Sequence, residues 1–231
     1  MKTLLAFASL LLASGCATTS GTANPQDPWE SFNRTSYAFN DTLDKAILKP
    51  VAQGYTWVLP EFARAGVSNF FANIEDVGTG INNILQGKVA QGGSDFGRFA
   101  FNSVVGILGL WDVATPLGLE KHYEDFGQTL GWWGVPSGPY LVIPFLGPSS
   151  ARDAPARYVD SYTSYYPYVD DIAVRNSLYG LGIVNTRASL LKGEKILDEA
   201  ALDKYTFVRD AWLQRRRSQV YDGNPPREKE E

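Results

Sequence analysis

Between residues 131 and 148 four glycines (Gly131, Gly134, Gly138, Gly147) alternate with four prolines (Pro136, Pro139, Pro144, Pro148). Proline lacks an amide proton and its ring clashes with the carbonyl four residues back, and glycine gives up more backbone entropy than any other residue. No regular helix can persist through this stretch. The intervening residues are mostly apolar, and Tyr140 to Phe145 carries a short period-two alternation of a kind almost absent elsewhere in the chain. The segment therefore specifies a constrained, mostly apolar loop or hairpin, and the rest of the fold must be built around it.

On either side of it the spacing is helical. Pro28 suits a first helical turn, and Trp29, Phe32, Phe39, Leu43, Ala46 and Ile47 fall on one face of a helix that Pro50 is expected to end. A second helix opens at Pro60, carries Phe62, Val67, Phe70, Phe71, Ile74 and Val77, continues through Ile81 to Gln86, and stops at Gly87. A third is expected from Ser94 and Asp95, and the apolar patch Val104 to Trp111 beyond it is too short to span a bilayer. Ile172 to Val184 and Leu197 to Arg217 show helical spacing again. The expected fold class is all-α: one helical domain over 28–221, with the Gly/Pro-rich hairpin-like loop inside it. Residues 222–231 form a charged, Pro-containing tail expected to be disordered.

The N-terminus assigns the compartment. Met1-Lys2 is followed by a ten-residue apolar run, Leu4 to Ala13, interrupted only by Ser9, and then by Ser14-Gly15-Cys16. A membrane-spanning helix needs roughly 20 residues, so this run reads as a secretory signal peptide over 1–15. The small-small-Cys ending resembles a bacterial lipobox that would leave Cys16 acylated, although Ala13 stands where a branched residue is more usual. An ordinary cleaved signal with an incidental cysteine is the competing reading. Cys16 is the sole cysteine, which fits a thiol consumed by lipidation better than a disulfide framework. Ala17, rather than Asp, follows it, which under the usual sorting rule favours the outer membrane. Residues 16–27 form a polar tether.

Composition removes several classes of function. With 21 basic and 25 acidic side chains and a net charge of -4, the chain lacks the concentrated positive face that nucleic acid requires. One histidine, His122, and one cysteine exclude thiolate or imidazole metal cages. No G-x-S-x-G motif or P-loop occurs, and Ser137 lacks the first glycine of a nucleophile elbow. His122 could pair with Glu124 or Asp125 as an acid-base couple, but a surface-loop histidine is the plainer reading. No enzymatic activity, metal or cofactor is expected.

Several blocks carry a family resemblance. Asp27-Pro28-Trp29-Glu30-Ser31-Phe32-Asn33-Arg34, Tyr37-Ala38-Phe39-Asn40, Val67-Ser68-Asn69-Phe70-Phe71-Ala72-Asn73, Asn82 to Gly87, Asp125 to Gly131, and Gly138-Pro139-Tyr140 through Pro144-Phe145-Leu146-Gly147-Pro148-Ser149-Ser150 resemble motifs of the MlaA family, also called VacJ. The similarity runs from about residue 27 to 221. It implies a lipid-anchored protein on the periplasmic face of the outer membrane: a ring of amphipathic helices lying in one leaflet around an amphipathic channel. It also implies removal of misplaced phospholipid from the outer leaflet, delivery to a soluble periplasmic lipid carrier, and binding to a trimeric porin. The alternative is a porin-docking scaffold that transports nothing.

Under that reading certain residues become candidates. A headgroup needs a polar path, because burying a charge without partners is costly. Asn33, Arg34, Asn40, Asn69, Asn73, Asn82, Asn83, Arg98 and Asn102 interrupt otherwise apolar helices, either to line such a path or to make capping and interhelical hydrogen bonds. Gly134 and Gly138 are candidate hinges, and Tyr140, Leu141, Ile143 and Phe145 a lipid-facing lip, against the alternative of a rigid turn. Phe39-Asn40 is a second candidate control point, since losing residues there would rotate later side chains by about 100° each, with ordinary core packing the competing reading of Phe39. The six tryptophans and Tyr162, Tyr165, Tyr166 and Tyr168 suit either a membrane boundary or a core.

Overall fold

The computed structural model describes residues 24–227. Cys16, the 1–15 leader, most of the 16–27 tether and residues 228–231 lie outside them. The described part is mostly helical with one two-stranded sheet.

The first helix does not end at Pro50. Helix α1 (Glu30–Leu43) passes through one π-helical turn (Asp44–Leu48) into α2 (Lys49–Val58). In that turn the Lys49 amide reaches back five residues to the Asp44 carbonyl. This widens the helix where Pro50 offers no hydrogen bond and its ring needs room. The break comes at Leu59, with φ -98° and ψ 124°, the extended backbone that a residue before proline prefers.

Helix α3 (Glu61–Leu85) turns at Gly87 into α4 (Val89–Val104), which starts at Val89 rather than Ser94. The glycines ahead of Ser94 are tolerated because one of them is a packing contact. A Cβ on Gly92 would lie 2.7 Å from Ile84 and 2.8 Å from the Gly80 carbonyl, so its absence lets α3 and α4 approach closely.

After a short 3-10 turn (Thr115–Leu117) come α5 (Phe126–Trp132), strands β1 (Tyr140–Ile143) and β2 (Gly147–Ser150), and α6 (Asp153–Ser161). The antiparallel register pairs Tyr140 with Ser150 and Ile143 with Gly147. The Gly/Pro-rich segment is thus a true hairpin, with Pro148 on an edge strand where its missing amide is harmless. A second 3-10 turn (Tyr166–Tyr168) leads to α7 (Ile172–Ala200), and α8 (Lys204–Val220) follows after a break. The expected single helix from Leu197 is therefore divided, with Asp203 capping α8 through the Tyr205 amide.

Both ends of the described chain are docked. Asp27 is buried and accepts from Asn33, Tyr205 and Arg209. Asp222 pairs with Lys88 at 2.6 Å, and Arg217 donates to the Pro226 carbonyl. The free tether consequently ends before Asp27, and the tail folds back as far as Pro226.

The burial pattern is the reverse of a water-soluble protein's. Among the described residues the buried hydrophobic set holds Ala, Tyr and Val side chains but no Leu, Ile, Phe or Trp. Buried instead are Asn33, Asp76, Asn83, Asp95, Arg98 and Arg216, among other polar groups, whereas such residues are normally exposed. Phe39 and Ile47 point outward, and Trp57, Phe62 and Val104 are 87%, 80% and 82% exposed. Five of the six tryptophans are exposed; Trp212 instead packs on the fully buried Tyr140, 5.7 Å between ring centroids. So much exposed apolar surface needs an apolar partner. No helix among the described residues is long and apolar enough to cross a membrane, which leaves helices suited to lying in an interface.

Candidate functional site

The buried charges set the frame. Arg216 of α8 holds Asp125 with two bonds of 2.6 Å and Asp153 with bonds of 2.9 and 3.1 Å, and Arg152 meets Asp153 at 2.8 Å. Burial alone would raise both carboxyls, but the guanidinium bonds outweigh it and hold Asp125 and Asp153 below the usual carboxylate range. Asp125 also caps α5 through the Gln128 amide at 2.9 Å. On the other side Arg98 reaches Thr115, the Leu119 carbonyl and Asp112, while Lys121 pairs with Asp76.

Beside these clusters runs a series of adjoining cavities, hereafter the passage. A cavity of about 400 Å³ is lined by α3, α5, α6, α8 and their connections, and one of about 640 Å³ by α3 and α7. The two share Phe71, Glu75, Tyr123 and Tyr165 and so adjoin. A third, of about 240 Å³, continues past Asp125, Asp160, Arg215 and Gln219. Helix α3 contributes Phe71, Glu75, Thr79 and Asn82, spaced 4, 4 and 3 apart along one face. Aromatic and aliphatic groups such as Phe71, Tyr165, Tyr179 and Ile183 share the wall with the carboxylates. This combination admits a molecule with one polar and one apolar part.

The wall's acids are not equivalent. Glu124 is tied to Gln86 and Lys88. Burial pushes the Asp160 carboxyl up to about 6, against the 2.8 Å bond it accepts from the Phe126 amide. Glu75 is exposed, and the protein packed around its carboxyl still raises it, with Lys121 opposing and Asp76 adding to the effect. Among the described residues Glu75 makes no hydrogen bond or ion pair.

Of the residues singled out in the sequence, Asn82 and Tyr165 stand on this wall and most others lie elsewhere. Asn33 donates to Asp27 and to the Tyr140 carbonyl and accepts from the Val142 amide. Asn40, two turns on, donates to the Ile143 carbonyl at 3.0 Å and accepts from the Phe145 amide at 2.7 Å. These two asparagines fasten β1 to α1. Phe39 meets Phe145 edge-on at 5.0 Å, so the two suggested control points touch. Asn69 bonds the Leu110 carbonyl, and Asn73 the Ser103 hydroxyl. None of these asparagines, nor Arg98, lines the passage. Asn73 makes an interhelical bond, while Asn33 and Asn40 hold the hairpin and Asn69 and Arg98 hold the chain that follows α4.

The lip is narrower than expected. Tyr140 is buried against Tyr205 and Trp212, because the pleat turns Tyr140 and Val142 inward. Leu141 and Ile143 are half-buried, and the exposed tip belongs to Phe145 and Leu146. Phe145 has φ +67°, an uncommon and strained conformation for a bulky residue. Gly134 ends α5: its amide donates to the Gly131 carbonyl and the next amide, Val135, to the Leu130 carbonyl, which makes it a helix stop. Gly138, at φ +67°, sits where a Cβ would approach Ala151 to 3.0 Å. His122 bonds buried Asp95 at 2.8 Å rather than Glu124 or Asp125.

Sequence reasoning missed Glu75, Gln128, Asp160 and Arg215. The stripe Glu75, Thr79, Asn82 and Gln86 recurs at helical spacing on α3 and was a usable signal for the first of them.

The family model described as MlaA lipoprotein matches residues 25–219. The "Intermembrane phospholipid transport system lipoprotein MlaA" of Escherichia coli (strain K12) is 38% identical over 219 residues, 91% of this chain and 85% of that protein. Its namesake from Haemophilus influenzae (strain ATCC 51907 / DSM 11121 / KW20 / Rd) is 30% identical over 239 residues, 99% and 94% of the two chains. A solved structure described as "Structural basis for maintenance of bacterial outer membrane lipid asymmetry" matches with a TM-score of 0.74 and 34% identity, covering 86% of this chain and 99% of the other. With family motifs, identity and fold agreeing over nearly all the described residues, the chain belongs to the MlaA lipoprotein family.

Proposed function

We infer that this chain is the outer-membrane lipoprotein of an intermembrane phospholipid transport system and maintains lipid asymmetry, as its named relatives are described as doing. The observation that carries the reading is the passage itself: adjoining cavities with mixed polar and apolar walls, inside a body whose outer face is apolar. A phospholipid has the matching duality. The apolar exterior suits immersion in the periplasmic leaflet, where acylated Cys16 would add an anchor.

The chain moves lipid without covalent chemistry. In support, His122 is engaged with Asp95, and neither residue lines the passage. Passive conduction runs only down a free-energy gradient, so net direction comes from partners, which we take to be a periplasmic lipid carrier and a trimeric porin. The exposed Ile172 and Val174 of α7 offer the porin an apolar face. The hairpin acts as the gate: its strained Phe145 tip rests on Phe39 and Asn40, so a small change in α1 releases it. The test is outer-leaflet phospholipid in cells lacking the gene, complemented with wild type or Cys16→Ala. The reading requires a rise on deletion that wild type reverses and Cys16→Ala does not. An unchanged surface after deletion would favour the non-transporting scaffold.

A further inference from the structure

The apolar patch at the end of α4 is neither core nor, beyond Val104, helix. From Phe99 to Trp111 the chain carries no charged residue, and Val104, Val105, Ile107, Leu108 and Trp111 are between 56% and 82% exposed. Its backbone is nevertheless turned in on itself. Of the amides from Val105 to Trp111, all but that of Ile107 donate to carbonyls within residues 101–107. The asparagine and the serine of the stretch also face the protein: Asn102 accepts from the Val113 and Ala114 amides and donates to Asp112, and Ser103 accepts from Asn73 of α3. Ile107, Leu108 and Gly109 follow one another at φ +52°, +56° and +83°, a conformation that L residues avoid and a β-branched one most of all. Two glycines allow the turn to close. A Cβ on Gly106 would stand 2.1 Å from the Trp111 carbonyl oxygen, and one on Gly109 2.7 Å from Asn73. The fold thus holds a strained turn whose Ile107 and Leu108 side chains are left outside.

In water such a turn gains nothing from its exposed side chains, and glycine or asparagine would relieve the strain. In hydrocarbon the balance changes, because apolar side chains are solvated there and backbone polar groups have to be paired within the protein, as nearly all of these amides are. We propose that the Val104–Trp111 turn is the deepest membrane contact of the body, seated among acyl chains, while the α2–α3 junction stays at the polar boundary. That junction exposes Trp57, Val58 and Phe62 beside the charged Glu61 and Arg64, and a tryptophan next to charged side chains suits the headgroup level. The charges that bracket the turn in sequence, Arg98 and Asp112, pair with each other at 3.0 Å, with Arg98 buried, so neither enters lipid uncompensated. An irregular loop that docks on a partner protein commonly offers it backbone donors; here the donors point inward, which favours acyl chains as the occupant. The proposal rests on the reading that the apolar exterior lies in a leaflet, and it names the part of that exterior that reaches furthest in.

The experiment uses the full lipidated protein in vesicles of phosphatidylethanolamine and phosphatidylglycerol, with a nitroxide placed at Val104→Cys or at Phe62→Cys. Cys16 is the one native cysteine, and wild type carried through the same labelling corrects for it. Collision with oxygen, which concentrates in hydrocarbon, and with a water-soluble nickel chelate reads the depth of each label. The Val104 label should lie deeper than the Phe62 label by at least about 5 Å, on the order of the depth to which an interfacial apolar face is buried. Asparagine tolerates positive φ, so Ile107→Asn/Leu108→Asn should unfold at no lower temperature than wild type while raising the Val104 label towards the depth of the Phe62 label. A Val104 label no deeper than the Phe62 label, or one whose depth the asparagine pair leaves unchanged, overturns the proposal and leaves immersion standing. A Val104 label open to nickel in lipid alone and shielded only after a porin trimer is added makes the turn a protein contact and overturns the proposal too. Both labels open to nickel would overturn the immersion reading, and this proposal with it.

Discussion

Asn40 holds the hairpin tip, and replacing it by alanine should loosen that tip without unfolding the protein. Its side chain makes two bonds, to the Ile143 carbonyl at 3.0 Å and from the Phe145 amide at 2.7 Å. Each is worth about 1 kcal/mol net at a site where water can replace the lost partner. Asn40→Ala should therefore weaken docking by about 2 kcal/mol, a shift of roughly 30-fold between docked and undocked tip. The Phe39 edge contact remains, as does the inner clamp at Asn33. Relief of the φ +67° strain at Phe145 favours undocking further. Hydrogen exchange followed by mass spectrometry reads this directly. The peptide covering 140–150 should exchange faster by about that factor while α6, residues 153–161, keeps its protection. Equal acceleration of both segments would mean global destabilisation, and an unchanged hairpin would mean that Asn40 is no clamp; either result refutes the reasoning.

Other outcomes follow from the same contacts. Asp160→Asn should stabilise the fold by about 1–2 kcal/mol at pH 7.5 in urea unfolding, since ionising this carboxyl in the folded state is costly. Its folded value of about 6 exceeds the ordinary 3.8. The benefit of protonation is therefore full below the ordinary value and lost as pH rises through about 6, so wild type should lose stability between pH 5 and 7 and the variant should lose less. Arg216→Gln strands Asp125 and Asp153 and should destabilise by about 3–5 kcal/mol at pH 7. The deficit should shrink towards pH 4, where stranded carboxylates take up protons, and thermal unfolding at the two pH values checks it. Gly138→Val puts a branched residue at φ +67° with Ala151 close by, and should impair lipid transport at normal protein abundance if the hairpin moves; unchanged transport would make it a rigid turn.

Much of the fold was legible because periodicity survives inversion. The 3.6-residue spacing of Trp29, Phe32, Phe39 and Ile47 marks a helix whether that face meets a core or a lipid, and only the structure shows it turned outward. The Gly/Pro punctuation likewise placed the hairpin. Pro50 misled because proline is read as a stop, whereas the preceding π turn absorbs it. Gly92 misled because glycine lowers helix propensity, whereas here it is what the α3–α4 approach needs. At the site, isolated asparagines on apolar helices stood out most; Asn33 and Asn40 fasten backbone, whereas Asn82 stands on the cavity wall. The residues that do line the passage come from α3, α5, α6 and α8. Asp160 and Arg215 lie 55 residues apart in sequence, and no local pattern links them.

The central claim is that lipid passes through the cavity between α3 and α7. Gly182 lies on its wall, where an added Cβ would stand 3.4 Å from the Phe71 ring. Gly180 on the same helix has nothing within 4 Å of its Cβ position and does not line the cavity. Outer-leaflet phospholipid should be measured in cells carrying Gly182→Phe or Gly180→Phe at matched abundance in the outer membrane. Gly182→Phe should raise it to the level of the deletion and Gly180→Phe should leave it at the wild-type level. A normal surface in the Gly182→Phe cells would contradict passage through this cavity.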